Sequence, residues 1–166
     1  ALELLTDENG DVAGATGRTS ETAVQSCHML DERAVIDMGD FAGALLKYVR
    51  AHPLPRLTIA GGFGKLSKLA EGHMDLHSSR SSVDVGSLAE KLGHVGASPE
   101  IVAEARMAVS AGGVLAIAQE AGLGDALCTH VARGSREVCR AALAGAADID
   151  VLVVARDGTV LSYVGP

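Results

Sequence analysis

Aromatic side chains are nearly missing from this chain: it has 2 Phe, 2 Tyr and no Trp in 166 residues. The core must therefore be built from Ala, Val, Leu and Ile. Few aromatics also leave little on which bases could stack, and the net charge is −7. Together these exclude the basic, aromatic-bearing footprint of a nucleic-acid binder. No apolar run reaches the ~18 residues that a membrane span needs. The opening residues, "ALELLTDENGD", lack the basic start and apolar core of a signal peptide. Cysteine is scarce: Cys27, Cys128 and Cys139 are odd in number and show no CxxC spacing. They read as reduced thiols, packed as small hydrophobes, in a cytoplasmic protein.

What the chain does have is aliphatic. Hydrophobic residues make up 48% and charged residues 21%, a globular balance. The length suffices for one domain with a real core. The 20 glycines exceed the usual share of about 7%, and many follow apolar runs. "DVAGATG" (11–17) predicts a short strand ending in glycines. "TSETAVQSCHML" predicts a helix capped by Thr19 or Ser20, with Glu21 in its first turn. "AVIDMG" (34–39) reads as a buried strand. "DFAGALLKYVRAH" (40–52) sets Phe41, Leu45 and Val49 on one helical stripe, ended by Pro53 and Pro55. "RLTIA" (56–60) is the next strand. Strand, helix, strand makes a βαβ unit, so the two strands should run parallel. Further helices are expected from Gly64 to Glu71 and from Val83 to Leu92. Another starts at Ser98 and Pro99 and continues through an alanine-rich stretch broken at Gly122 and Gly124 and stopped at Gly145. Two β-rich runs flank Asp157-Gly158, a strong hairpin signal. The expected fold is one α/β domain over residues 1–166, a small, mostly parallel sheet flanked by helices with a C-terminal β-hairpin. The chain begins without Met in what reads as a strand-and-loop region, so it is taken as a piece of a longer protein.

In open parallel sheets, ligands gather at the carboxyl ends of the strands. Three predicted strand ends here carry polar or glycine-rich turns. In "GGFGK", Gly61, Gly62 and Gly64 expose backbone N–H groups at a helix start, and Lys65 adds a positive charge. That suits a carboxylate, a phosphate or a polyhydroxyl ligand. Gly62 is expected to allow close backbone approach and a positive φ. The spacing matches neither the P-loop nor the dinucleotide fingerprint, and a tight strand-to-helix turn would use the same glycines. "ATGRTSE" offers Thr16, Gly17 and Arg18; the arginine could clamp a carboxylate in bidentate fashion, or simply sit on a capped helix. "DMGD" offers Asp37, Gly39 and Asp40, either to bind hydroxyls or, for Asp40, to cap the next helix. In "HMDLH", His73 and His77 share a face only if the segment is helical. Gly72 and the serines suggest a loop, and no third metal ligand is at hand. A polar, hydrogen-bonding role for His73, His77 and Ser78 is expected instead.

"TGRTSE", "DMGDFAGALLKY", "AGGFGKLSKLAEGHMDLHSSRSS" and the run into the alanine-rich helices resemble the CbiD family, the cobalt-precorrin-5B C1-methyltransferases of anaerobic cobalamin synthesis. The resemblance spans from about Val12 to the hairpin. Family members are longer, so it implies the C-terminal portion of such an enzyme, with the missing N-terminal portion as a partner. It also implies methyl transfer from S-adenosylmethionine to C1 of a cobalt corrinoid. Cobalt would arrive inside the substrate, with no protein-bound metal and no covalent nucleophile. The substrate's carboxylates would meet Arg18, Lys65 and Arg80. Thr16, Gly17, Asp37, Gly39, Asp40, Gly61, Gly62, Gly64, His73 and Ser78 would complete the binding set, and His77 and Asp75 would be the catalytic pair. The chain departs from the family pattern at Leu76, where a Thr usually precedes the His-Ser pair, and at Ser79, which separates Ser78 from Arg80. Two other readings stay open: a non-catalytic corrinoid-binding or assembly module, and a phosphate-handling enzyme using the Gly61–Lys65 turn. A homo-oligomer is open as well.

Overall fold

The computed structural model describes residues 10–166; the strand-and-loop reading of the first residues falls outside them. Five strands form one sheet: β1 (Val12–Ala15), β2 (Val35–Asp37), β3 (Arg56–Gly62), β4 (Asp148–Val154) and β5 (Val160–Val164). Their order is β2-β1-β3-β4-β5. The first four run parallel and β5 returns antiparallel to β4, so the expected parallel pair and hairpin are both present, with β1 lying between β2 and β3.

Seven helices are seen among the described residues: α1 (Arg18–His28), α2 (Ala42–Ala51), α3 (Phe63–Ala70), α4 (Val85–His94), α5 (Pro99–Arg106), α6 (Ala111–Glu120) and α7 (Gly124–Leu143). The period-2 alternation of the strands sends side chains to two cores. Leu57, Ile59, Ile149, Val151 and Val153 join the larger one, which α2, α3 and α7 cover. Ala13, Ala60, Leu152 and Val154 join the smaller one, closed by Val24 of α1. The 20-residue α7 spans the large core with a fully buried stripe of Leu127, Val131, Ser135, Cys139 and Leu143. None of these helices is long and apolar enough to cross a membrane.

Several expectations need correction. β2 is not a buried strand; it sits at the sheet edge, with Val35 and Ile36 half-buried and Asp37 exposed. Thr19 and Ser20 do not cap α1 but lie inside it, because the chain already turns at Gly17; the Ser20 hydroxyl donates to the Gly17 carbonyl at 2.8 Å. Phe41 leaves the stripe of α2, which starts one residue later, and stands 63% exposed. The buried face is Ala42, Leu45, Leu46 and Val49. Asp84 caps α4, so that helix starts at Val85, two residues after the expected start. Ser98 and Pro99 open α5 as their chemistry demands, but that helix ends at Arg106.

The thiols report on this packing. Cys27 is exposed, whereas Cys128 and Cys139 are buried in α7. Burial pushes Cys128 up to about 11, with Asp125 adding to the shift. It pushes Cys139 up to about 12. Since the thiolate is the nucleophile, a thiol reagent at mildly alkaline pH should label one cysteine of the native chain, Cys27, and the other two only after unfolding. Fast labelling of all three would show that α7 is not packed against the sheet.

Candidate functional site

The strand order reverses between β1 and β3: β2 lies on one side of β1 and β3 on the other. Connections leaving the two central strands therefore diverge and open a crevice at their carboxyl ends. β1 turns into α1 at Gly17, whose φ of 156° and ψ of 173° belong to a backbone region that only glycine occupies readily. β3 enters α3 with no loop at all, since Gly62 is both the last strand residue and the N-cap. Neither helix start carries a side-chain cap. α6 begins at the same crevice, its Gly113 N–H donating to Ser110 Oγ at 3.1 Å. Three helix N-termini thus border one cleft, and each brings the positive end of its dipole.

The cleft has a volume of about 1100 Å³. Four cations line it, Arg18, Lys65, Lys68 and Arg156, together with Thr16, Ser20, Ser78, Ser110 and Gln119, and among the described residues no Asp or Glu does. Phe63, Leu76, Leu115, Val154 and Leu161 supply apolar wall. Lys65 donates to the Thr16 carbonyl at 2.8 Å and pairs with Asp40 at 3.1 Å. Lys68 is only 8% exposed and donates to the Leu76 carbonyl at 2.8 Å. Among the described residues no carboxylate pairs with Lys68, Arg18 or Arg156. In a chain of net charge −7, the cleft is a positive enclave.

Thr16, Gly17, Arg18, Gly62, Gly64, Lys65 and Ser78 all line this cleft, although they come from distant segments. Gly61 lies beneath it: a β-carbon there would stand 2.9 Å from Thr16 Cγ2. Asp40 reaches the cleft only through Lys65 and does not cap α2. Asp37 and Gly39 stay out, joined in an exposed turn in which the Gly39 N–H donates to Asp37 Oδ1 at 3.0 Å. Gly62 has φ −70°, so it needs no left-handed freedom.

His73, Asp75, His77 and Arg80 do not line the cleft. The reason is Leu76. Its N–H donates to the Asp40 carbonyl at 2.8 Å, its carbonyl accepts from Lys68, and its side chain is buried in the cleft wall. Pinned inward, it leaves His77 exposed and Asp75 half-buried. Asp75 Oδ1 accepts the His77 N–H at 3.1 Å, and His77 Nδ1 is 2.7 Å from the Ser79 hydroxyl. Among the described residues no three His, Cys, Asp or Glu side chains group as a metal site.

Lys68 and Arg156 went unnoticed in the sequence, yet signals existed. Lys68 is i+3 from Lys65 and so shares its helix face. Arg156 directly precedes Asp157-Gly158, past the end of β4, and is thus at a fourth strand end.

Comparison with known proteins bears on the same residues. The family described as CbiD, C-terminal domain, matches residues 75–165. A Rhodospirillum rubrum protein named cobalt-precorrin-5B C(1)-methyltransferase is 52% identical over 155 residues, covering 93% of this chain and 43% of that protein. Proteins of the same name from Burkholderia mallei and Brucella ovis are each 44% identical, over 92% of this chain and 42% and 41% of their own lengths. The chain therefore spans about two fifths of the length of these curated relatives. No solved structure matches it significantly.

Two adjacent glycines separate packing from access. Gly61→Ala forces a methyl into Thr16 and should cost about 1–3 kcal/mol in chemical denaturation. Gly62→Ala meets nothing nearer than the Val154 carbonyl at 4.0 Å and should cost less than about 1 kcal/mol. The reverse ranking would put Gly62, not Gly61, in the packed corner.

Proposed function

The chain belongs to the CbiD family, and we propose that it forms the C-terminal part of a cytoplasmic cobalt-precorrin-5B C1-methyltransferase, with the rest of the enzyme as its partner and S-adenosylmethionine as methyl donor. The observation that carries this reading is a large cleft with four cations and, among the described residues, no carboxylate, at the strand-order reversal of an acidic chain. A corrinoid substrate is a flat macrocycle edged with carboxylates. Phe63, Leu76, Leu115 and Val154 offer apolar wall to the ring, while Lys68 and the helix N-termini take its acidic edge.

The donor supplies a methyl group on a sulfonium: the ring carbon C1 gives an electron pair to the methyl, the sulfur–carbon bond breaks, and a neutral thioether leaves. The chain's own contribution is to hold the acceptor ring still. Fixed near-attack geometry is worth as much as ~7–11 kcal/mol in favourable cases. Thr16, Gly17, Gly62, Gly64 and Lys65 form the rigid floor, because all sit at strand or helix ends of the sheet. Asp75 and His77 act as positioning residues, closing the turn that presents Ser78 to the cleft.

The test is a titration of the intact enzyme with a cobalt corrinoid bearing free peripheral carboxylates and with its fully amidated counterpart, followed by corrinoid absorbance. The carboxylate form should bind, more weakly as salt rises, and the amidated form should not. Lys68→Gln keeps an uncharged donor for the Leu76 carbonyl and should weaken binding about tenfold or more. Equal binding of both forms, unaffected by salt, would sink the reading.

A further inference from the structure

The cleft has a smaller neighbour. Arg18, Thr19 and Arg156 line both, and beyond them a second hollow of about 590 Å³ opens between the outer side of α1 and the turn joining β4 to β5. The two differ in charge. Among the described residues no carboxylate lines the large cleft, whereas Asp157 lines the small one. Asp157 Oδ1 accepts the Thr159 N–H at 2.9 Å, and that backbone hydrogen bond lowers its carboxyl below the ordinary range, so it is ionised at neutral pH. On the α1 side, the hydroxyls of Thr22 and Ser26 donate along the helix, to the carbonyls of Arg18 at 3.1 Å and Thr22 at 3.0 Å. With their protons spent there, their oxygens are left to the hollow as acceptors. The small hollow is therefore dipolar, with guanidinium groups on the wall shared with the cleft and acceptors beyond it.

We infer that the small hollow holds the zwitterionic α-amino-acid end of the methyl donor, its carboxylate on Arg18 and Arg156 and its ammonium on Asp157, Thr22 and Ser26. This rests on the methyltransferase reading above. The charges of the two reactants sort them between the two spaces. A donor that carries both a sulfonium and an ammonium is repelled by a cleft lined by four cations, which a polycarboxylate ring suits. The shared wall of Arg18, Thr19 and Arg156 is where the two reactants would meet, and the ring's carboxylates would then offset the cations facing the sulfonium. Cys27, an exposed thiol, also lines the small hollow and so reports its occupancy.

The test uses the intact enzyme with S-adenosylhomocysteine and its decarboxylated counterpart as probes, read by calorimetry. Arg156→Gln should weaken S-adenosylhomocysteine about tenfold or more, and the decarboxylated probe by less than about twofold, because the partner of the arginine is then absent. Asp157→Asn retains an oxygen for the Thr159 N–H, so the turn stays formed. It should weaken both probes about tenfold while leaving the carboxylate corrinoid within about twofold. S-adenosylhomocysteine should also slow alkylation of Cys27. If the probe binds, but neither substitution changes its affinity and Cys27 stays unprotected, the donor sits elsewhere and the inference falls while the methyltransferase reading stands. If neither S-adenosylhomocysteine nor the corrinoid binds the enzyme, both fall together.

Discussion

A single ammonium ties together the ends of three strands. Lys65 lies in the first turn of α3, which follows β3 directly; it donates to the Thr16 carbonyl just past β1 and pairs with Asp40 just past β2. Its side chain is 38% exposed and that of Asp40 23%, so the ion pair itself contributes at most about 1 kcal/mol. What it supplies is placement. The Asp40 carbonyl in turn accepts the Leu76 N–H, and Lys68, one turn along α3, takes the Leu76 carbonyl. The loop between α3 and α4 therefore hangs from the same knot. Pull Lys65 away and the floor of the cleft, its β2 side and its loop wall lose their common reference point.

That knot also explains which parts of the molecule were legible in advance. Strands with apolar runs, the Ser98-Pro99 helix start and the Asp157-Gly158 hairpin are local signals, and local chemistry decided them. The convergence of Thr16, Gly17, Arg18, Gly62 and Lys65 was legible from a topological rule about strand ends, without any contact being known. The histidine segment was not. Whether His77 or Leu76 faces inward is settled by two hydrogen bonds to Leu76's backbone, from Lys68 and to Asp40, and no side-chain pattern within "HMDLH" encodes them. The exposed Phe41 failed for a related reason: the helical period was right, and Leu45 and Val49 are buried as the stripe required, but α2 starts after Phe41 and leaves it outside the helix as the N-cap.

Charge is arranged as carefully as shape. The chain carries 21 acidic and 14 basic residues, so a random wall of this size would include carboxylates. Among the described residues none enters the large cleft. Asp40 neutralises Lys65 from behind, and Glu71 pairs with Lys91 at 3.1 Å, outside the lining. Net acidity says nothing about the local field when acids are excluded from one concave surface, and low-dielectric walls concentrate that field. A composition-level argument against nucleic acid and a site-level argument for a polyanionic small molecule are therefore compatible.

On the proposed reading, the sparseness of conventional catalytic groups in the cleft follows from the reaction. A thioether leaves a sulfonium as a neutral molecule, so no acid is needed to protonate it, and the attacking carbon belongs to a conjugated ring that carries its own electrons. The remaining demand is geometric, and geometry is best met by backbone at the ends of a packed sheet, where amides cannot rotate away and glycines leave room. The buried stripe of α7 and the two cores on either face of the sheet hold those ends still. Rigidity built from Ala, Val and Leu, in a chain with almost no aromatic residues, is thus part of the proposed catalytic apparatus and not merely its support.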